Sequence, residues 1–126
     1  MSVPTDRKYT AEHEWLVIEG DVARVGITEH ASRELGDVVY VELPNVGDEL
    51  SAGQACGEIE STKSVSEIFA PASGTVVATN QAVVDSPEIV NAEPYDGGWL
   101  FELRVSQIPE MLDSDAYASL TSGSAS

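Results

Sequence analysis

The stretch between residues 57 and 74 constrains the fold most, because two short runs with strand-like alternation flank a small polar centre there. This pattern predicts a tight β-hairpin with arms at 54–60 and 64–70 and with Lys63 at or beside its tip. The only other lysine of the chain is Lys8. Three acidic side chains surround the tip in the sequence: Glu58, Glu60 and Glu67. A lysine on a turn is usually a solvated charge, so a role for this one needs support from the rest of the sequence.

Short strands separated by Gly and Pro turns are predicted along most of the chain. Outside the hairpin, the predicted strands are residues 15–19, 22–27, 37–43, 75–79 and 99–105. Gly20-Asp21 is a two-residue turn of the kind that joins hairpin strands. Val39, Val41 and Leu43 are expected on one face of their strand. Many short strands with close turns predict a mainly β fold, either a small β-sandwich or a flattened barrel.

Helical patterns occupy two places in the chain. Thr28 is a suitable N-cap for a short helix that ends at Gly36. In the C-terminal region, Ser106 is expected to cap a helix that residues 113–115 can divide into two. Residues 80–94, which include Asp85-Ser86-Pro87 and Asn91-Ala92-Glu93-Pro94, are predicted to be a looser stretch between strands.

The length of 126 residues suits a single domain with a modest core. We expect this domain at residues 9–121, between a flexible N-terminal arm at 1–8 and a flexible tail at 122–126. No run approaches the ~18 consecutive apolar residues of a membrane span. The first residues contain neither an apolar signal core nor an Arg-rich amphipathic presequence, so a cytoplasmic location is expected.

The charge balance and the single cysteine argue against several classes of function. Acidic residues number 22 against 6 basic ones, and the formal net charge of −16 repels nucleic acid and anionic membranes. Such a surface favours solubility and attraction to basic patches on partner proteins. Cys56 alone can form neither an internal disulfide nor a cysteine metal cluster, and we expect it to be a small packed residue.

The remaining residues give little support to an enzyme. His13 and His30 lack the spacing of a zinc motif, and no glycine-rich phosphate loop precedes a helix. A nucleophilic lysine needs an apolar pocket or a nearby cation to release its proton, and the sequence around Lys63 offers glutamates instead. We therefore expect Lys63 to act only after another enzyme has acylated it, so that its long stem tethers a reactive head.

The sequence around Lys63 resembles the lipoyl-attachment segment of the glycine cleavage H-protein family. This resemblance begins with Glu60-Ser61-Thr62-Lys63-Ser64-Val65-Ser66-Glu67 and continues to Gly74. Other motifs resemble the same family in unbroken order: His13-Glu14-Trp15, Gly26-Ile27-Thr28-Glu29-His30-Ala31, residues 35–44, Val46-Gly47-Asp48, Val90-Asn91 and residues 94–100. The resemblance covers roughly residues 8–120, which makes it far more specific than a lone Glu-x-x-Lys.

The resemblance implies a lipoyl/biotinyl-type β-sandwich, a flattened barrel of two small antiparallel sheets, with short helices that include one or two at the C-terminus. It also implies lipoate in amide linkage to Lys63, added by a lipoate-attaching enzyme, and neither a catalytic residue nor a metal of the chain's own. The arm would receive the aminomethyl group of glycine from the pyridoxal-phosphate glycine decarboxylase (P protein). It would deliver that group to the aminomethyltransferase (T protein) and then be reoxidised by the flavin dehydrogenase (L protein).

The loaded arm would end in an amine, which suggests a use for the acidic residues. Carboxylates that line a cleft can hold an ammonium group and exclude water from it. By position in the family motifs, the expected pocket residues are Glu14 and Glu67, with Glu12 and His30 behind them. Four aromatic residues are expected in the core rather than at a cofactor: Trp15, Tyr40, Trp99 and Phe101.

Several alternatives stay open at this stage. Lipoyl domains of 2-oxoacid dehydrogenases usually carry Asp-Lys-Ala at the tip, and biotin carriers have methionines beside the lysine, whereas this tip is Thr62-Lys63-Ser64. The residues do not distinguish a glycine cleavage component from an H-like protein that mainly relays lipoyl groups to other enzymes. From a different class, the alternative is an unmodified acidic interaction module.

Overall fold

The computed structural model describes residues 7–10, 12–107 and 111–123. Within these residues the strands are β1 Lys8–Tyr9, β2 Glu14–Glu19, β3 Val22–Ile27, β4 Val38–Glu42, β5 Glu49–Leu50, β6 Ala55–Ser61, β7 Val65–Phe69, β8 Ser73–Thr79 and β9 Phe101–Gln107. The helices are α1 Glu29–Leu35, α2 Gln81–Asp85, α3 Ile89–Ala92 and α4 Ser114–Gly123.

These strands form two antiparallel sheets. The larger sheet has the strand order β1-β2-β3-β9-β8-β5, and the smaller has the order β4-β6-β7. Apolar side chains from both sheets share one core, whose fully buried members include Leu16, Val25, Val41, Ile59, Ile68, Val76 and Leu103. Burial of each such side chain stabilises the fold by roughly 1.5–3 kcal/mol. The prediction of a mainly β sandwich with short helices is confirmed, and the described strands do not close into a barrel.

Strand β4 departs from the predicted alternation. Val38 and Val41 are buried, whereas Val39 and Tyr40 are 51% and 49% exposed. The pairing of β4 with β6 shifts between Val38 and Tyr40, and this bulge changes which residues face the core. The expected common face of Val39, Val41 and Leu43 is therefore wrong, and so is the expected core position of Tyr40.

The other residues that were expected in the core are buried or half-buried. Trp15 and Phe101 are buried, and Trp99 is half-buried. Cys56 is half-buried and packs against the core, and burial raises the pKa of its thiol to about 12.

Helix α1 forms as predicted. Thr28 Oγ1 accepts a hydrogen bond from Ala31 N at 3.2 Å, which satisfies one of the unpaired donors of the first turn. Gly36 ends the helix at φ +84°, a left-handed conformation that favours glycine.

Two other helix predictions are wrong. The stretch at 80–94 contains α2 and α3 rather than loose chain, and Asn80 caps α2 by accepting from Ala82 N. Ser106 lies inside β9 and caps no helix, and α4 begins only at Ser114. Residues 108–110, which we expected in the first part of a C-terminal helix, lie outside the described residues.

The described elements extend past the expected domain limits of 9–121 at both ends. Lys8 belongs to β1, and residues 122 and 123 belong to α4. The rest of the expected arm and tail, apart from Arg7, lies outside the described residues. None of the described helices is long and apolar enough to cross a membrane.

A second buried cluster attaches α4 to the edge of the larger sheet. It consists of Tyr9, Trp15 and Tyr117, and the rings of Tyr9 and Tyr117 stack with centroids 4.8 Å apart. The indole of Trp15 lies over Gly26 of the neighbouring strand, and its Nε1 donates to Pro94 O at 2.8 Å. This hydrogen bond fixes the ring, so a side chain at position 26 would collide with a group that cannot easily move.

Replacement of Gly26 by Ala should therefore destabilise the fold by about 1–3 kcal/mol, the usual cost of overpacking a core. The free energy of unfolding, measured by urea denaturation, checks this value. Gly97→Ala is the matched control, because a Cβ there meets mainly the flexible end of Glu93. Equal stability of the two variants would contradict the assigned packing of Trp15.

Candidate functional site

Lys63 lies on the loop of the predicted hairpin. Strands β6 and β7 pair in antiparallel register, with Glu60 opposite Val65, and the chain reverses direction through residues 62–64. The Lys63 side chain is exposed at this end of the smaller sheet. A short, paired support thus projects the lysine away from the core.

The hydroxyl of Ser61 organises this loop. Ser61 Oγ donates to Ser64 O at 3.1 Å and accepts from Lys63 N at 3.3 Å and from Ser64 N at 3.1 Å. The Ser61 side chain is only 7% exposed, and these bonds use its full donor and acceptor capacity. The sequence analysis assigned Ser61 no structural role, although serine is a residue that commonly closes turns through its hydroxyl.

The body of the protein also holds the loop. Thr62 N donates to Asp37 O at 3.1 Å. The aliphatic stem of Lys63 lies over Gly36, where its Cε is 3.3 Å from the position that a Cβ would take. The direction of Lys63 therefore depends on the segment between α1 and β4 as well as on its own hairpin.

The glutamates near Lys63 do not pair with it. Among the described residues, the ion pairs involve Arg24, His30 and Arg104, and none involves Lys63. Glu58 and Glu67 face each other across β6 and β7, further from the tip. The expected acidic ring thus acts on Lys63 only at longer range.

A cleft of about 320 Å³ runs beside β7, next to the lysine loop. Strand β7, helix α1 and the chain before β2 form its walls, and the side chains of Ile27, Ala31, Leu35, Ile59 and Val65 give it an apolar lining. Four carboxylates also line it: Glu12, Glu14, Glu34 and Glu67. An apolar channel that starts at the lysine loop and carries carboxylates can hold an acyl chain with a cationic end.

The cleft brings together three of the four expected pocket residues. Glu12, Glu14 and Glu67 line it, whereas His30 lies behind His13, with the ring centroids 4.6 Å apart. Glu34 also lines the cleft and was not among the predicted pocket residues. Its signal was available, because Ala31, Glu34 and Leu35 follow the spacing of one helix face.

Glu14 is the most deeply buried carboxyl at this site. Its side chain is 2% exposed, Oε2 accepts from Phe69 N at 2.7 Å, and Oε1 accepts from Thr10 Oγ1 at 3.4 Å. Burial disfavours the ionised form more than these hydrogen bonds favour it, and the pKa of Glu14 rises to about 8. The carboxyl is therefore largely neutral at pH 7.

His13, which was not among the expected pocket residues, lines the same cleft in a strained conformation. Its φ of +70° lies in the left-handed region, which is uncommon for a residue other than glycine. Its Nδ1 lies 2.7 Å from Tyr117 Oη, which in turn lies 2.7 Å from Thr28 Oγ1. Burial and the neighbouring His30 lower the pKa of His13. This network links the C-terminal helix to the cap of α1 and to the cleft.

A larger cleft of about 650 Å³ lies elsewhere on the larger sheet and includes no residue of the lysine hairpin. Its arginines already contact its aromatic walls, with Arg7 4.6 Å from the Trp15 ring centroid and Arg24 4.7 Å from that of Trp99. No group of three metal-ligating side chains occurs within the described residues. The geometry thus favours the Lys63 hairpin and its adjacent cleft as the functional site.

Comparisons with known proteins all identify similarity to the same family. The family model described as "Glycine cleavage H-protein" matches residues 7–122. A glycine cleavage system H protein of Beutenbergia cavernae is 61% identical over 123 residues, covering 98% of this chain and 99% of its own. One from Streptomyces avermitilis is 56% identical over 119 residues, covering 93% and 95%. The crystal structure of a glycine cleavage system H protein from Mycobacterium marinum is similar with a TM-score of 0.91 at 47% identity, covering 94% of this chain and 98% of its own.

The raised pKa of Glu14 makes stability depend on pH. The folded state holds a proton on this carboxyl between pH 4.5 and about 8, where the unfolded chain has lost it. The stabilising contribution of this proton is therefore fully present below pH 4.5. It decreases by up to about 1.4 kcal/mol per pH unit above that pH and is lost once the pH has risen through about 8. Glu14→Gln, which mimics the neutral carboxyl, should lack this loss and should be more stable than the wild type at pH 9.

Urea denaturation in steps from pH 4 to pH 9 measures the effect. Glu19→Gln on the same strand is the control, since that side chain is exposed and its replacement removes the same charge. If Glu14→Gln and wild type showed parallel stability curves across the whole range, the proton would not reside on Glu14.

Proposed function

Because the chain belongs to the glycine cleavage H-protein family, and is thus a lipoyl carrier of the glycine cleavage system, we propose that its lipoyl group is attached to Lys63. The observation that supports this site is the position of Lys63 on the exposed hairpin loop, directly beside a carboxylate-lined cleft. The only other lysine, Lys8, lies in the edge strand β1.

The residues of the cleft fit a lipoyl arm in amide linkage. Its apolar lining suits the aliphatic chain of the arm, and Ser64 and Val65 place one end of the cleft next to the attachment point. When bound, the lipoyl disulfide supplies the sulfur chemistry that accepts the aminomethyl group of decarboxylated glycine. The Lys63 stem fixes one end of the arm, while the cleft walls keep the other end away from water.

We propose that carboxylates in the cleft hold the amine at the end of the loaded arm. Glu67 is exposed to solvent, whereas the buried Glu14 is largely neutral until a cation approaches. An ammonium group nearby favours the ionised form of Glu14 and lowers its pKa, so Glu14 would release its proton as the cargo enters. Glu12 adds negative charge at the cleft, and His30 supports the wall through its contact with His13.

The proposed partners are the P, T and L proteins and a lipoate-attaching enzyme, in the sequence of steps that the family resemblance implies. We propose that the chain itself is non-catalytic, because its lysine is presented for modification and for delivery rather than activated within a pocket of its own. A net charge of −16 keeps such a carrier soluble among larger partners and suits basic docking surfaces. A cytoplasmic location remains a prediction from the sequence.

The first test replaces the attachment lysine. Lys63→Arg keeps the positive charge but cannot form the lipoyl amide, so lipoylation and glycine–CO2 exchange with P protein should both be abolished. Intact mass after incubation with lipoate and a lipoate ligase, followed by the exchange assay, measures both. Lys8→Arg is the matched control and should retain both activities.

This experiment also separates the alternatives. Retained exchange in Lys63→Arg would overturn the proposed carrier site. A wild-type chain that gains no lipoyl mass with lipoate and ligase present would instead support an unmodified acidic interaction module.

The second test addresses the cargo pocket. Glu67→Gln should accelerate loss of the aminomethyl group from the loaded protein by about tenfold to a hundredfold, since hydrogen bonds to charged groups contribute roughly 1.5–3 kcal/mol. Release of ammonia and formaldehyde from isolated loaded protein measures the decay. Glu58→Gln is the control, because Glu58 lies directly opposite Glu67 in the hairpin but does not line the cleft. Identical decay of the two variants would count against Glu67 as a cargo ligand.

A further inference from the structure

Asn91 of α3 joins three groups around the start of β4. Its Nδ2 donates to Gly36 O at 2.9 Å and to Ser32 Oγ at 3.0 Å, and its Oδ1 accepts from Val38 N at 2.9 Å. One side-chain amide thus holds both ends of the segment 36–38 and connects it to α1. The function proposed above gives this residue no role.

The segment that Asn91 holds contains irregular backbone, although Gly36 N donates to Ser32 O at 3.1 Å and the Val38 side chain is buried. Gly36 lies at φ +84°, where glycine is conformationally free, and the ladder between β4 and β6 is irregular directly after Val38. The Val38 N–H is bound to the Asn91 side chain instead of to a neighbouring strand. The three hydrogen bonds of Asn91 are therefore a main source of order in this segment.

The same segment supports the lysine loop. Asp37 O accepts from Thr62 N at 3.1 Å, and the Lys63 stem lies against Gly36. Val38 is also opposite Ser61, the residue whose hydroxyl closes the loop. Asn91 is consequently linked to Lys63 through a single three-residue segment.

We propose that Asn91 is a positioning residue for Lys63. It holds the segment 36–38 in the conformation that binds Thr62 and supports the Lys63 stem, and so sets the direction in which the lysine meets a lipoate-attaching enzyme. The predicted effect on lipoylation rests on the proposed modification of Lys63, whereas the predicted effect on the conformation of the lysine loop does not.

Asn91→Asp tests the proposal with a side chain of the same shape. The new carboxylate still accepts from Val38 N, but it cannot donate to Gly36 O and places an oxygen against that carbonyl. Asn80→Asp is the matched control. Asn80 also makes three amide hydrogen bonds, donating to Gly97 O at 2.9 Å and Trp99 O at 2.7 Å and accepting from Ala82 N at 3.2 Å. None of these bonds reaches the hairpin.

Amide hydrogen exchange gives the first readout. In Asn91→Asp the Thr62 amide should exchange about fivefold to tenfold faster, because the segment that contains its acceptor, Asp37 O, becomes less ordered. The Phe69 amide, which is bound to Glu14 at the other end of β7, should be unchanged and serves as internal reference. In Asn80→Asp the Thr62 amide should exchange at the wild-type rate.

Lipoylation kinetics give the second readout. A misdirected lysine on an otherwise intact surface should lower the kcat of the ligase by about fivefold and leave the KM for this protein unchanged. A reduced fraction of folded protein would have the opposite effect, because it would raise the apparent KM and leave kcat unaltered. Asn80→Asp should therefore keep the wild-type kcat.

The role of Asn91 can be tested even if one of the variants does not fold. Unchanged Thr62 exchange in Asn91→Asp, or equal acceleration in both variants, would overturn it. If Asn91→Asp does not fold, Ser32→Ala removes only one partner of Asn91 and should accelerate Thr62 exchange about twofold, and no acceleration would overturn the proposal. If wild-type Lys63 is not lipoylated, the proposed function fails, while the Thr62 exchange rates still decide the role of Asn91.

Discussion

The hydrogen bond from Phe69 N to the carboxyl of Glu14 joins the two sheets next to the cleft beside β7. Glu14 begins β2 of the larger sheet, and Phe69 ends β7, the edge strand of the smaller one. This bond fixes the separation of two cleft walls and hence the space beside the lysine loop. The same burial that makes the bond strong keeps the carboxyl neutral at rest. The carboxyl thus supports the structure in its neutral form, and a nearby cation would favour its ionised form.

Local signals in the sequence were sufficient for the elements that depend on neighbouring residues. The hairpin around Lys63, the turn at Gly20-Asp21 and the capped helix α1 were all predicted, because each depends on interactions between residues close in the chain. The bulge in β4 was not, since it reverses the exposure of Val38 and Val39 without changing the residue pattern. A bulge depends on how a strand meets its partners, and alternation alone does not encode it.

The site was predictable only in part for a related reason. Resemblance to a family pointed to the lysine and to the pocket glutamates, but it did not show the groups that hold them. Glu14 and Phe69 are separated by 55 residues, and Asn91 lies 55 residues from Gly36. His13 and Tyr117 lie 104 residues apart, and the strained backbone at His13 has no signature in the residue type. Such pairs become visible only when the fold brings them together.

These long-range hydrogen bonds explain why the sequence near Lys63 does not by itself define the structure around it. The hairpin supplies a short and exposed loop, which Ser61 closes. The direction of the lysine, however, comes from Asp37 and Gly36 across the loop, and the cleft comes from α1 and β2. A two-stranded hairpin alone is only marginally stable in water, so its precision as a support derives from the sheet and helices that contact it. Contacts from the remainder of the chain thus restrict the direction of a lysine that would otherwise extend freely into solvent.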